Sequence, residues 1–487
     1  MKLALSRDEY RDRVYACWLG KNVGGTLGTP HECKKEQLHL TFYDPVPDGA
    51  LPNDDLDLQL VWLAMLEERG VHPSLDDFAD YWLKHLSPYP WNEYGFCRRN
   101  LGRGLRPPIS GCFENYYVDE MGSPIRSEIW ACTAPGDPEL AAELAWSDSA
   151  MDHAGGEGTC GEMFWAATQS AAFVETDPLT LIRIGLNMIP LSSNIARSIR
   201  EAVWCRENEI PYQEAYQSIR RNFGLEQPCN AIQNHGFTIL GWLYGQDFGD
   251  KLCKAVNCGY DTDCTGATLG ATLGILDGTA GIPKKWSDPV GTGIKLHPYT
   301  KDLNAPKDIE ELTQRTVAVA EKMLAGRSER VEFGGRTHLG GETLSHLLRN
   351  DRALRARSRD PQSTIARVDE FDLALHYGGE PVLRPGEDKT IGLSLKHRDE
   401  PVPATFEVVA TGCEVQPDGT LLGRHRFVLR SHSIEGTTKV LVVARSEGRT
   451  FQKEFVILGP EEAKGFGAGR NVPTCPKCHA WIDACVC

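Results

Sequence analysis

Two acidic stretches, far apart in the chain, carry its greatest capacity for chemistry: Asn53-Asp54-Asp55 and Asp261-Thr262-Asp263, the second followed by Cys264. Alternate residues at a helix entrance can aim two carboxylates at one point, and oxygen-rich clusters suit hard cations such as Mg²⁺, Mn²⁺ or Ca²⁺. Each stretch also has a purely structural explanation. Asn53 is a natural helix cap, Asp54 and Asp55 suit a first turn, and an aspartate N-cap would account for Asp261. If both entrances face one cavity, carboxylates about 4 Å apart repel by roughly 4 kcal/mol per pair at an effective dielectric of 20, so the arrangement needs cations.

Three further groups are candidates. Glu32 ends the glycine-rich segment LGKNVGGTLGTPHE, residues 19–32, where a lone glutamate would otherwise be an ordinary surface residue. In HAGGEGTCGEMFW, Gly155, Gly156, Gly158 and Gly161 surround Glu157 beside His153. Glycines at a helix start let backbone N–H groups approach an anion or sugar-phosphate, and a tight helix–helix turn has the same composition. His153 is of a type more often used in packing than in catalysis. The C-terminal NVPTCPKCHAWIDACVC brings together Cys475, Cys478, Cys485 and Cys487, enough thiolates for one tetrahedral Zn²⁺, with a thiol-rich tail as the alternative.

The elements that must position these groups are mostly helices. Ser6-Arg-Asp-Glu9 is a capping-box pattern that opens a helix leading into Gly20, Gly24, Gly25 and Gly28. Residues 51–70 form an apolar helix between Asn53 and Gly70. In 257–278, Gly266, Gly270, Gly274 and Gly278 recur every fourth residue, along one helix face. Each glycine costs roughly 0.8–1 kcal/mol against alanine, so this helix must be central and closely packed. Residues 75–250 keep a helical period, and 306–326 add one more amphipathic helix. From about residue 363 the pattern alternates with period two, with turn signals at Pro417-Asp418-Gly419 and Glu447-Gly448, which suggests an immunoglobulin-like sandwich. No catalytic constellation is legible in that region, whose expected role is packing or contact with a protein partner.

Composition narrows the classes. The chain has 487 residues, 41% hydrophobic and 24% charged, so it has material for two or three globular domains. A net charge of −15 disfavours nucleic acid and anionic membranes as partners. The N-terminus lacks the apolar core of a secretory signal, and no apolar run reaches the length of a membrane span. Of sixteen cysteines, the twelve outside the tail are scattered singly, which fits buried, reduced thiols and a cytoplasmic location.

Taken together, LGKNVGGTLGTPHE, PNDDLDLQL, the GGEG loop and GYDTDCTGATLGATLGILDG resemble the ordered motifs of the ADP-ribosylglycohydrolase family, over roughly residues 8–326. The resemblance implies an orthogonal all-α bundle with a centre of two Mg²⁺ or Mn²⁺ at the base of a cleft. The family's metal-binding Thr-Asp-Asp matches Asn53, Asp54 and Asp55, and its Asp-Thr-Asp-Thr matches Asp261, Thr262, Asp263 and Cys264. Its glutamate over the metals matches Glu32, and its Gly-Asn-Gly loop, which cradles the distal part of ADP-ribose, matches Gly156, Glu157 and Gly158. Four departures stand out: Asn53 for Thr, Gly25 for a common Asp, Glu157 with Glu162 for Asn and a later Arg, and the softer donor Cys264 for Thr. Added carboxylates repel a diphosphate.

The resulting expectation is a mainly α protein with four parts: an ADP-ribosylglycohydrolase-like catalytic domain at 1–326, a linker at 327–362, a β-sandwich at 363–460 and a Cys-rich tail at 461–487. Its activity would be hydrolysis of an N- or O-glycosidic bond to ADP-ribose or a related ribosyl-like sugar. Asn53, Asp54, Asp55, Asp261, Asp263 and Cys264 would hold the cations, Glu32 or Asp55 would activate water, and His153 with Gly156, Glu157 and Gly158 would contact substrate. The alternatives are another two-metal hydrolase on the same scaffold, or a non-catalytic binding protein that uses the β region and zinc tail.

Overall fold

The computed structural model describes residues 2–86, 89, 92–335, 337, 343–434 and 436–464, with the backbone alone at 92 and 93. The four tail cysteines lie outside the described residues. The chain divides into two compact units: Met1–His72 with Asp119–Trp146 and Gly156–Ala356, and Pro73–Val118 with Ser147–Gly155 and the residues from Arg357 onward. The first is helical; the second carries the C-terminal β-sheets.

Two helices form the axis of the first unit, Arg7–Gly28 and Thr262–Asp277. Ser6 caps the first by accepting from the Glu9 N–H at 3.4 Å. The glycine run does not end that helix, because its glycines lie directly against those of the other. A Cβ on Gly20 would sit 2.7 Å from the Gly270 carbonyl carbon, and one on Gly270 would sit 2.9 Å from that of Gly20. Gly24 stands in the same way against Gly266, and Gly28 against Thr262. The backbones meet where carbon atoms ordinarily need about 3.5–4.0 Å, and the dispersion attraction between them offsets the poor helix propensity of glycine.

The helix Asp54–Arg69 starts as the sequence predicts, with Asn53 Oδ1 accepting from the Asp55 N–H at 2.7 Å, and it stops at Gly70, φ +86°. Inside the segment 327–362, Val331–Gly334 pairs in parallel with Leu3–Ser6. No helix among the described residues is long and apolar enough to cross a membrane.

In the second unit, nine strands among the described residues form two antiparallel sheets. One runs in the order Arg449–Ile457, Thr438–Ser446, Thr405–Ala410. The other runs Ser363–Val368, Phe371–His376, Asp388–His397, Arg424–Arg430, Glu414–Leu421, with Glu400–Pro401 added beside Asp388–His397. Burial alternates residue by residue along Thr438–Ser446, and Val440, Val442 and Ala444 join Leu373, Leu393, Leu429 and Phe455 in one apolar core. The turn expected at Glu447-Gly448 is there, both residues with positive φ. The one expected at Pro417–Gly419 instead lies within a strand, as a register shift between Pro417 and Thr420 where Gly419 takes φ +77°.

Candidate metal centre

The two acidic stretches meet. Ligand atoms of Asp55, Asp263 and Cys264 lie within 4.8 Å of one another, and so do those of Glu32, Asp261 and Asp263. Asp263 therefore belongs to both groups. Asn53 ties the helix starts together: its Oδ1 caps one helix while its Nδ2 donates to Asp263 Oδ2 at 3.3 Å. Gly25 leaves room for this, because a Cβ there would sit 3.0 Å from Asn53 Nδ2.

Capping does not account for the aspartates. Asp261 occupies the N-cap position of Thr262–Asp277, yet its side chain makes no capping hydrogen bond. Both carboxylate oxygens of Asp55, Oδ1 of Asp261 and Oδ1 of Asp263 are buried without a hydrogen-bond partner. Buried carboxylate oxygens are costly unless paired or bound to a cation; Lys21 lies 3.6 Å from Asp55 Oδ1, whereas no lysine or arginine among the described residues pairs with Asp261 or Asp263, so this donor set fits divalent metal.

Backbone bonds fix the geometry. Asn234 Oδ1 accepts from the Asp261 N–H at 3.3 Å, and Thr262 Oγ1 donates to the Gly28 carbonyl at 2.8 Å. The loop after Glu32 is locked to the loop before Asp261 by Cys33 N–H to Tyr260 O, 2.8 Å, and Tyr260 N–H to Lys34 O, 2.7 Å. Cys33 and Tyr260 hold positive φ, 66° and 67°, a sparsely populated conformation that these reciprocal bonds impose.

The electrostatics follow from crowding. The charge of Asp263 first, then burial, with Cys33, Asp54 and Asp55 adding, push the Glu32 carboxyl up to about 10. Burial raises Asp55 to about 7 against the pull of Lys21, with Asp263 and Glu128 adding to the rise. Asp261 is raised well above the carboxylate range by burial and then by Asp263 and Glu32. Burial also raises Asp263. Without cations the cluster takes up protons, because like charges this close cannot all ionise.

Lys21 is the main residue that the sequence reading missed. It is buried, 3.6 Å from Asp55 and 3.0 Å from Glu128, and it donates to the Ile125 carbonyl at 3.0 Å. Burial alone would lower its pKa, but Glu128 and then Asp55 outweigh burial and raise it. Gln59 braces the same network, donating to Glu128 Oε2 at 2.9 Å and to the Asp55 carbonyl at 2.8 Å. The available signal was a lysine among the glycines of a buried helix. Another pairing hidden from the sequence is Cys33 with Cys229, whose ligand atoms lie within 4.8 Å of each other and of Glu32's. Of the twelve described cysteines, seven are buried, four, Cys229 among them, are half-buried, and Cys33 is exposed.

The glycine loop is bound into the scaffold. Gly156 is the N-cap residue of Glu157–Ala171, and the Glu157 carboxylate accepts from the N–H groups of Asn194 at 2.7 Å and Ile195 at 3.0 Å. Glu157 thereby caps the helix Asn194–Glu207. The Gly158 carbonyl accepts from Ser123 Oγ at 3.4 Å. Glu162 is fully buried and accepts from Ser123 Oγ at 2.6 Å and Trp130 Nε1 at 3.0 Å. His153 belongs to the second unit, buried with its Nδ1 2.9 Å from Asp152 Oδ1.

The carboxylates of this helical unit converge so that they could hold divalent cations. The chain belongs to the ADP-ribosylglycohydrolase family, whose sequence model matches residues 6–328. The family supports a glycohydrolase-type function and is commonly metal-dependent. A solved structure described as an ADP-ribosylglycohydrolase-related protein complex is similar at 19% identity and a TM-score of 0.44, covering 65% of this chain and 99% of that one. No curated protein matches the chain.

Proposed function

We propose that the chain hydrolyses an N- or O-glycosidic bond to ADP-ribose or a related ribosyl-like sugar, using two Mg²⁺ or Mn²⁺ held by Asp54, Asp55, Asp261 and Asp263, with Asn53 and Cys264 at their edge. The observation that carries this is the set of buried carboxylate oxygens without hydrogen-bond partners on two helix starts joined through Asp263. When bound, the cations would supply positive charge that fixes vicinal sugar hydroxyls and stabilises the transition state. Lys21 offsets part of the Asp55 charge and keeps its carboxylate aimed at the centre. Glu32, within reach of Asp261 and Asp263, orients the attacking water and takes its proton once bound cations offset the charge of Asp263 that otherwise keeps it protonated. Asn53 holds Asp263 in register with the opposite helix start.

The substrate class follows from charge. Gly156, Glu157 and Gly158 would face the distal part of the ligand, and Glu157 already satisfies two backbone donors. Engaged in that cap, the Glu157 charge does not bar a phosphate, so ADP-ribose and a smaller glycoside both stay within the substrate class. The test is turnover of ADP-ribosylated peptides and simple aryl ribosides with Mg²⁺ or Mn²⁺, beside Asp261→Ala. Cation-dependent release of the sugar that disappears in the variant is the expected result. A folded, cation-loaded protein that turns over none of the panel would overturn the proposal.

A further inference from the structure

We propose that Ser394, His376 and Asp360, all in the β-sheet unit, form a second hydrolytic site, which cleaves small, negatively charged acyl esters. His376 Nδ1 lies 3.1 Å from Asp360 Oδ2, and its Nε2 lies 3.0 Å from Ser394 Oγ. The direction of the relay follows from donor chemistry. Asp360 is held below the usual carboxylate range, first by its bond to His376, so it stays ionised and can only accept. Nδ1 must then carry the proton, which leaves Nε2 free to accept from the serine hydroxyl. Burial lowers the His376 pKa, so the ring is neutral at pH 7. This is the proton polarity that activates a serine nucleophile.

The placement suits a site rather than a core. The three residues line a cavity of about 280 Å³. Ser394 and Asp360 are both half-buried, and 10% of the His376 side chain is exposed, so the trio lies at the cavity wall rather than in the apolar core. Asp360 is fixed from three sides: by His376, by the Gln362 N–H at 2.9 Å and by Arg424 Nη1 at 2.9 Å. Gly392, directly opposite His376 in the ladder, makes room for the Arg424 side chain, whose Cβ and Cδ lie 3.3 and 3.4 Å from where a Cβ on Gly392 would be. Lys396 lies two residues beyond Ser394 on the same face of its strand, lines the same cavity and has no ion-pair partner among the described residues. With Arg424 held in its ion pair with Asp360, Lys396 supplies the positive charge for an anionic ester and for the oxyanion that develops during attack.

The chemistry needs no oxidant or cofactor. Ser394 Oγ attacks the acyl carbon as its proton passes to His376 Nε2. The ester C–O bond breaks, and the departing alkoxide takes that proton. Water, deprotonated by the same nitrogen, then hydrolyses the acyl-serine, releasing the acid and restoring the hydroxyl. The sequence conceals this trio because its members come from three separate segments.

The test uses the full chain in EDTA, which silences cation-dependent turnover. A fluorophosphonate probe with peptide mapping reads the nucleophile, and 4-nitrophenyl ester hydrolysis reads turnover, with thermal melts to verify folding. Covalent label on Ser394, falling about 10²–10⁴-fold in rate in His376→Gln and absent in Ser394→Ala, is the expected outcome. A folded wild-type chain that takes no label at Ser394 refutes the proposal, as does labelling at an unchanged rate in His376→Gln.

Discussion

Replacing Gly270 with alanine separates two effects of opposite sign. In an exposed helix the change would stabilise by about 1 kcal/mol, because alanine has the higher helix propensity. Here the new Cβ would sit 2.9 Å from the Gly20 carbonyl carbon, with backbone rather than a movable side chain on the far side. The Gly20 carbonyl oxygen is nearer still, so the helices must part by at least about 0.6–1 Å. Overpacking of this kind costs about 1–3 kcal/mol and more where backbone must move, so the net effect should be a loss of about 2 kcal/mol. The same shift moves Asp261 and Asp263 relative to Glu32, and a displacement near 1 Å costs about 100-fold in rate. Urea unfolding monitored by the buried Trp18, Trp62 and Trp165 reads the stability, with Gly102→Ala, which meets no atom within 4 Å, as the propensity control. If Gly270→Ala unfolds at the same or a higher urea concentration than wild type, the helices are not in backbone contact and the helix pair does not position the site.

Other expectations follow from the same electrostatics. Lys21→Met leaves Asp55 and Glu128 buried without their cation and should destabilise by about 3–5 kcal/mol in cation-free buffer, measured by the unfolding midpoint. Asp55 keeps its proton to about pH 7 in the fold but ionises near 3.8 when unfolded, so Asp55 alone should cost the cation-free protein about 4 kcal/mol as pH rises from 4 to 7, and the raised Glu32, Asp261 and Asp263 add to that loss. Saturating Mg²⁺ should remove that slope; parallel melting curves with and without Mg²⁺ would contradict a metal role for Asp55. His235 acts in the opposite sense. Burial lowers it to about 4 from 6.5, so its contribution is intact above pH 6.5 and is lost as pH falls through 6.5 towards 4, by about 3 kcal/mol. The wild-type-minus-His235→Gln difference in stability should shrink across that window, and a constant difference would show that His235 does not stay neutral in the fold.

Residue type and spacing alone reported the helical unit, the caps at Ser6 and Asn53, the stop at Gly70 and the β-character after residue 363, because these are local and periodic properties. The four-residue glycine repeat even required a close helical neighbour, though it did not say which helix. Only the tertiary structure decided that this neighbour is Arg7–Gly28, that Asp55 and Asp263 share a centre, and that Lys21 lies beneath it. It also turned Glu157 towards a helix N-terminus and brought Asp360, His376 and Ser394 into one cavity. A sequence records which side chains can accept a proton or a cation. Which of them converge depends on long-range packing, and for the acidic cluster that packing is two glycine faces pressed together.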